Sequence, residues 1–147
     1  MEGASAADCL SLTRLWLSDA LPPNAESRVL GIVLRSLRQH TQLKFLVSYA
    51  DPAQGHLGTI YQASNWVYTG LSQATPLYDV GDGQLHHSRS LSHVFGTRAS
   101  RHFANHGLTV RPVPQPAKHR YLYFLDPSWR VRLRVAELPY PKLEVAP

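Results

Sequence analysis

Apolar residues alternate in Cys9-Leu10-Ser11-Leu12 and, after Thr13-Arg14, resume at Leu15 and Leu17. This predicts a strand over 9–17 with mixed faces. Residues 18–24 break it with Pro22-Pro23. From residue 25 the period changes. Val29, Leu30, Val33, Leu34 and Leu37 fall on one stripe and Arg28, Arg35 and Arg38 on another, which predicts a helix over 25–39 with Asn24 as its N-cap. The near-continuous apolar run Leu43–Tyr49 predicts a strand buried on both faces. Strand, loop, helix and strand make one β-α-β unit with parallel pairing and a right-handed crossover.

Periodicity weakens downstream. A short helix is expected at 58–64, a third strand at 65–69 and a hairpin at Gly81-Asp82-Gly83. A short helix at 99–105 should end at Gly107. Residues 112–116, Pro-Val-Pro-Gln-Pro, must be extended, and Lys118–Leu125 reads as the last strand. The first strand begins almost at the first residue. It has no covered edge, which favours a homodimer or a preceding segment.

Composition narrows the class. A chain of 147 residues, 44% hydrophobic, fits a single domain over 1–147 with a core of its own. No apolar run is long enough for a membrane span. Met1–Cys9 has no signal-peptide pattern, so a cytoplasmic location is expected. Cys9 is a single cysteine, which excludes an internal disulfide and a cysteine zinc cluster. The net charge of +5 suits a polyanion. Between Arg89 and Arg134 nine basic residues face only Asp126, so 71–147 reads as a basic C-terminal part.

Several residues could carry chemistry. The helix N-terminus after Leu-Pro-Pro-Asn offers free amides, with the Ser27 hydroxyl and the Arg28 cation beside them, for an anion; Glu26 opposes one. Arg14, in an apolar strand, either faces outward or meets a cofactor or an acid. Asp51 lies just past the end of a parallel strand, where α/β sheets place ligand groups, and Pro52 pins it extended. His56 can titrate near neutral pH, and Tyr61 can donate a proton or stack. Trp66 and Tyr68 follow on the next strand. The alternative is an ordinary turn whose aromatics fill the core. The histidines His86, His87, His93, His102 and His106 show no ligand spacing with a cysteine or HExxH partner, so no protein metal site is assigned.

Five blocks together are specific: Leu-Thr-Arg-Leu-Trp-Leu; Pro22 to Arg38; Val47 to Gly70; Lys-His-Arg-Tyr-Leu-Tyr-Phe-Leu; and Leu-Pro-Tyr-Pro-Lys. From about residue 10 to 142 the chain resembles the Mom family of phage DNA adenine-modification proteins; residues 1–8 do not resemble it. The resemblance implies an α/β, GNAT-like acyl-CoA N-acyltransferase fold, truncated at its N-terminus, with a cofactor and catalytic core over 9–70. It implies acetyl-CoA bound by Arg14 and Ser27, and Asp51 and Tyr61 at the reaction centre; the reading of the residues themselves adds Asn24 and Arg28 beside the cofactor and His56 beside the reaction centre. It leaves room for iron, without a visible ligand set. The implied substrate is double-stranded phage DNA, held by the basic half, including Arg98, Arg101, Lys118 and Arg120. The implied product is N6-methylcarbamoyl (carbamoylmethyl) adenine, which restriction endonucleases fail to cut. An inactive DNA-binding remnant and a small-molecule N-acetyltransferase are the competing expectations.

Overall fold

The computed structural model describes residues 1–18, 20–95, 100–105, 107 and 109–142, apart from the side chains of Ser88, Arg89, Val94, Phe95 and residues 100–102. These residues form two compact units. One comprises 1–72 and 118–147, the other Gln73–Ala117. The boundary therefore does not follow the division at residue 70 read from composition: the last strand belongs with the first unit.

The first unit holds β1 (Cys9–Leu12), α1 (Ala25–His40), β2 (Phe45–Ala50), α2 (Thr59–Ala63), β3 (Val67–Leu71) and β7 (His119–Phe124). Its sheet has the order β1-β2-β7-β3. The expected β-α-β unit is present, with β1 parallel to β2 from Cys9↔Phe45 to Leu12↔Ser48. The final strand is inserted antiparallel between β2 and β3, with Val47↔Leu122 and Tyr68↔Tyr121 as partners. Here the sheet is mixed, and β1 is an edge strand as expected.

The period-2 alternation of β2 divides the core. Leu46 and Ala50 face Leu30 and Leu34 of α1, together with Tyr61, Trp66, Tyr68 and Tyr121. Phe45 faces the other way, onto Leu122 and Trp129. Trp129 comes from a 3-10 turn, Pro127–Arg132, whose Asp126 cap accepts from the Ser128 amide. The apolar stripe of α1 is narrower than its sequence pattern. Leu30 and Leu34 are buried, but Val33 is 41% exposed, because only the Leu30–Leu34 line faces the sheet.

Asn24 does not cap α1 through its side chain. It sits at φ 66° in the left-handed region. Ala25 N–H donates to the Pro22 carbonyl at 3.2 Å, so Pro22–Ala25 is a type II turn with proline at its second position and Asn24 at its third.

The second unit contains β4 (Leu77–Asp79), β5 (Leu85–His86), α3 (Ser88–Phe95), α4 (Ser100–Asn105) and β6 (Arg111–Val113). The Gly81-Asp82-Gly83 turn joins β4 to β5 as expected, and β6 pairs on the other side of β4. Val80, Leu91 and Phe103 are its buried core. Gly107, at φ 72°, follows α4 and donates to the Ala104 carbonyl. The expected start of this helix, Ala99, lies outside the described residues.

Candidate active site

The parallel pair ends unevenly. Pairing stops at Leu12↔Ser48, yet β2 continues to Ala50. The strand predicted to reach Leu17 therefore ends at Leu12, and residues 13–18 leave the sheet. Ser48, fully buried, marks the parting point. Its Oγ lies 2.7 Å from the Leu12 carbonyl and 2.7 Å from the Tyr61 hydroxyl. The carbonyl can only accept, so the Ser48 proton goes there and the Tyr61 hydroxyl donates to Ser48.

Where the strands part, a cleft of about 380 Å³ opens. Leu15 lines it from the departing segment and Glu26 from the first turn of α1. Tyr49 comes from β2, His56 from the strand-end loop, and Thr59 and Tyr61 from α2. The loop is tightly built. Tyr121 donates its hydroxyl to the Leu57 carbonyl, and Gln62 Nε2 reaches both the Leu57 carbonyl and Tyr121 Oη at 3.1 Å. Burial raises the Tyr121 phenol pKa.

Asp51 stands at the mouth of this loop, extended at φ −96° as Pro52 requires. Its Oδ1 accepts from the Ala53 amide at 3.0 Å, and its Oδ2 lies 2.8 Å from Lys118 Nζ. The hydrogen bond from Lys118 is the main reason its carboxyl sits below the usual carboxylate range.

Of the residues expected at a reaction centre, His56 and Tyr61 share the cleft, and Asp51 opens the loop between them and β2. The expected cofactor residues are spread more widely. Arg14 is exposed just before Leu15, and Arg28 is exposed on α1. Ser27 donates its hydroxyl to the Asn24 carbonyl at 3.0 Å. None of these four residues lines the cleft. Among the described residues, the backbone amides of Glu26 and Ser27 have no internal acceptor, so the N-terminus of α1 retains two donors.

The aromatic residues on the following strand are not available to stack on a ligand. Trp66 is fully buried and Tyr68 is 7% exposed. They form a ring cluster with Tyr61 and Tyr121, so they belong to the core. Aromatic residues just past a strand end served packing here.

The basic stretch is also less free than its sequence suggests. Arg130 pairs with Glu137, Arg134 with Glu2, and Arg111 with Asp79 at 3.2 Å. Arg120 Nε donates to Thr69 Oγ1 at 2.8 Å and its Nη2 to the Thr69 carbonyl at 3.1 Å. Asp126, expected to oppose this stretch, pairs instead with Lys44. Arg98 lies outside the described residues; Arg101 is on α4, and its side chain lies outside them too.

Sequence reasoning missed Glu26, Tyr49 and Thr59 as cleft residues and Ser48 as the link to Tyr61. Ser48 had a signal: a lone hydroxyl in an apolar strand must find a partner when buried. Tyr49 had one too, since alternation puts it opposite the core-facing Ser48 and Ala50.

The Mom protein family matches residues 1–142, including the first eight residues that had not seemed to fit. The chain belongs to the Mom protein family. It is 32% identical over 139 residues to the methylcarbamoylase Mom of Escherichia phage Mu. The match covers 90% of this chain and 56% of that protein, so the chain spans about half the length of its curated relative.

The cleft volume lies in the range of small-molecule sites; the two free amides of α1 suit an anionic group such as that of an acyl-CoA, and the Glu26 carboxylate, which also lines the cleft, opposes one. Iron does not fit. Among the described residues, no three histidine, cysteine, aspartate or glutamate side chains are arranged to hold a metal. No helix among the described residues is long and apolar enough to cross a membrane.

Proposed function

We propose that this chain is a GNAT-like transferase of phage DNA modification. It places a methylcarbamoyl group on adenine N6, uses acetyl-CoA as its two-carbon donor and protects the DNA from restriction. The observation that carries this reading is the cleft where β1 and β2 part, in a chain of the Mom family. In acyl-CoA transferases of the GNAT kind the strand before such a helix and the helix N-terminus hold the CoA pyrophosphate.

In this reading the amides of Glu26 and Ser27 receive the pyrophosphate, with Arg14 and Arg28 nearby as cations. When bound, acetyl-CoA would supply the two-carbon unit: its carbonyl would pass to an ammonia-type nitrogen donor with loss of the CoA thiol, and its methyl carbon would join N6 only with a two-electron oxidant, both supplied as co-reactants. Tyr49 and Thr59 form walls that hold substrate and exclude water. Tyr61, its proton committed to Ser48, offers its oxygen as an acceptor to an amine N–H. His56 is exposed on the cleft wall and takes the proton that the exocyclic amine releases. Asp51 remains a carboxylate and sets the local field. The substrate would be the phage genome in the host cytoplasm, held through cations that include those of the second unit.

The test is nucleoside mass spectrometry of plasmid DNA from cells expressing this chain. A carbamoylmethyl deoxyadenosine adduct supports the reading. An N-acetyl adduct would mean that the chain performs simple acyl transfer, and would overturn the carbamoylmethyl reading. Acetylated small amines with unmodified DNA would favour a small-molecule N-acetyltransferase. DNA binding without acetyl-CoA binding would favour a DNA-binding remnant.

A further inference from the structure

Lys118 reads from sequence as one of a run of basic residues available to a DNA backbone. Its surroundings give it a different task. β7 runs antiparallel between β2 and β3, so the start of β7 lies beside the ends of both neighbours. Ala50 is opposite His119, and Asp51 comes next on that side. On the other side, Leu71 is opposite His119. Ser72 then fixes the Lys118 backbone: its amide donates to the Lys118 carbonyl at 2.7 Å, and its Oγ accepts from the Lys118 amide at 3.0 Å.

From that anchored position Lys118 Nζ reaches Asp51 Oδ2 at 2.8 Å. Both carboxylate oxygens are then engaged, since Oδ1 holds the Ala53 amide. The Asp51 carbonyl in turn accepts from the amides of Gln54 and His56, both at 3.1 Å. One lysine therefore fixes the residue from which the whole 51–58 loop, with the cleft residue His56, is hung. Lys118 is 44% and Asp51 26% exposed along their side chains, so solvent weakens this pair, and what it contributes is orientation more than stability. The charged groups facing Asp51 are Lys118 and, from its own loop, His56.

We propose that Lys118 is a positioning residue for Asp51: it holds that carboxylate in one orientation at the head of the 51–58 loop, and it is not a DNA-phosphate contact. This rests on the reading of Asp51 as part of the reaction centre.

Three measurements on the full chain test it. The first is the Asp51 carboxyl titration by carbon NMR, in wild type and in Lys118→Gln, which keeps the stem and removes the charge. Lys118→Arg serves as the conservative control. The second is adduct formation in Lys118→Gln, Asp51→Asn and the double variant. The third is the salt dependence of DNA binding. The expected result is that Lys118→Gln moves the Asp51 titration upward toward about 3.9. It lowers adduct formation on the order of tenfold to a hundredfold, and the double variant is no worse than Asp51→Asn. Lys118→Arg restores most activity, and the salt slope is unchanged. An unchanged Asp51 titration, or a salt slope reduced by about 0.9, overturns the proposal. If the wild-type chain makes no adduct, the functional reading fails separately, and the titration with the salt slope still decides whether Lys118 serves Asp51 or DNA.

Discussion

Gly58 shows how narrowly single residues are specified around the cleft. It lies at φ 76°, and a Cβ there would stand 2.5 Å from the Tyr121 ring. Backbone strain and overlap act together, so Gly58→Ala should cost about 2–4 kcal/mol, measured by denaturant unfolding. Full stability in that variant would mean that the loop can move off Tyr121. Ionisable residues set the pH limits. Asp51 is held low by Lys118, Asp126 by Ser128 and Glu137 by Arg130. A carboxyl with a lowered folded pKa stabilises the fold above its unfolded pKa, and this is lost as pH falls through the folded value. Thermal stability should therefore decline below about pH 4, and less steeply in high salt because these groups are near the surface. The buried phenols of Tyr68 and Tyr121 are raised. Their contribution is present below about pH 10 and is lost above it.

At the scale of elements, α1 was legible because its leucines repeat with the helical period and nothing contradicts them. The sequence could not say which of two adjacent apolar lines meets the sheet. Leu34 is buried at 4% exposure and Val33 is not. Leu34→Ala should then cost about 2–5 kcal/mol, whereas Val33→Lys should stay within about 0.5 kcal/mol. Equal losses in thermal denaturation would place Val33 in a packed contact. β1 was read too long because Leu15 and Leu17 keep an alternation that has no ladder to join. The pairing partner ends the strand, and a partner is invisible to local pattern. β6 was hidden by Pro112, which argues against a strand wherever an amide is needed. α3 was missed because Ser88–Phe95 offers few apolar positions and no cap signal. His56 and Tyr61 were legible as neighbours, and they share the cleft, because glycine, proline and titratable side chains cluster after a strand. The aromatic residues nearby misled for the same reason, since cores and sites both collect them.

At the scale of the whole molecule, charge counted along the sequence exaggerated the basic half. Acids outside the Arg89–Arg134 stretch meet its cations: Glu137 follows just after it, and folding brings Glu2 and Asp51 to it from the N-terminal part. The same holds for the sheet, where the last strand is inserted between the second and third. That insertion makes Ser72 and Lys118 direct neighbours, joined by two hydrogen bonds. The 45 residues of Gln73–Ala117 thus leave and rejoin the chain through two adjacent doorposts. Loop-closure entropy rises only slowly with length, so this excursion is a replaceable cassette. Exchanging it for a two-residue Asn-Gly turn should leave the four-stranded sheet and the Asp51–Lys118 pair intact, as amide-exchange protection of β2 and β7 would report. Unprotected strands would mean that the cassette helps to fold its host. If the sheet survives, relatives could exchange this segment wholesale, and with it whatever recognition it carries, while keeping the cleft unchanged.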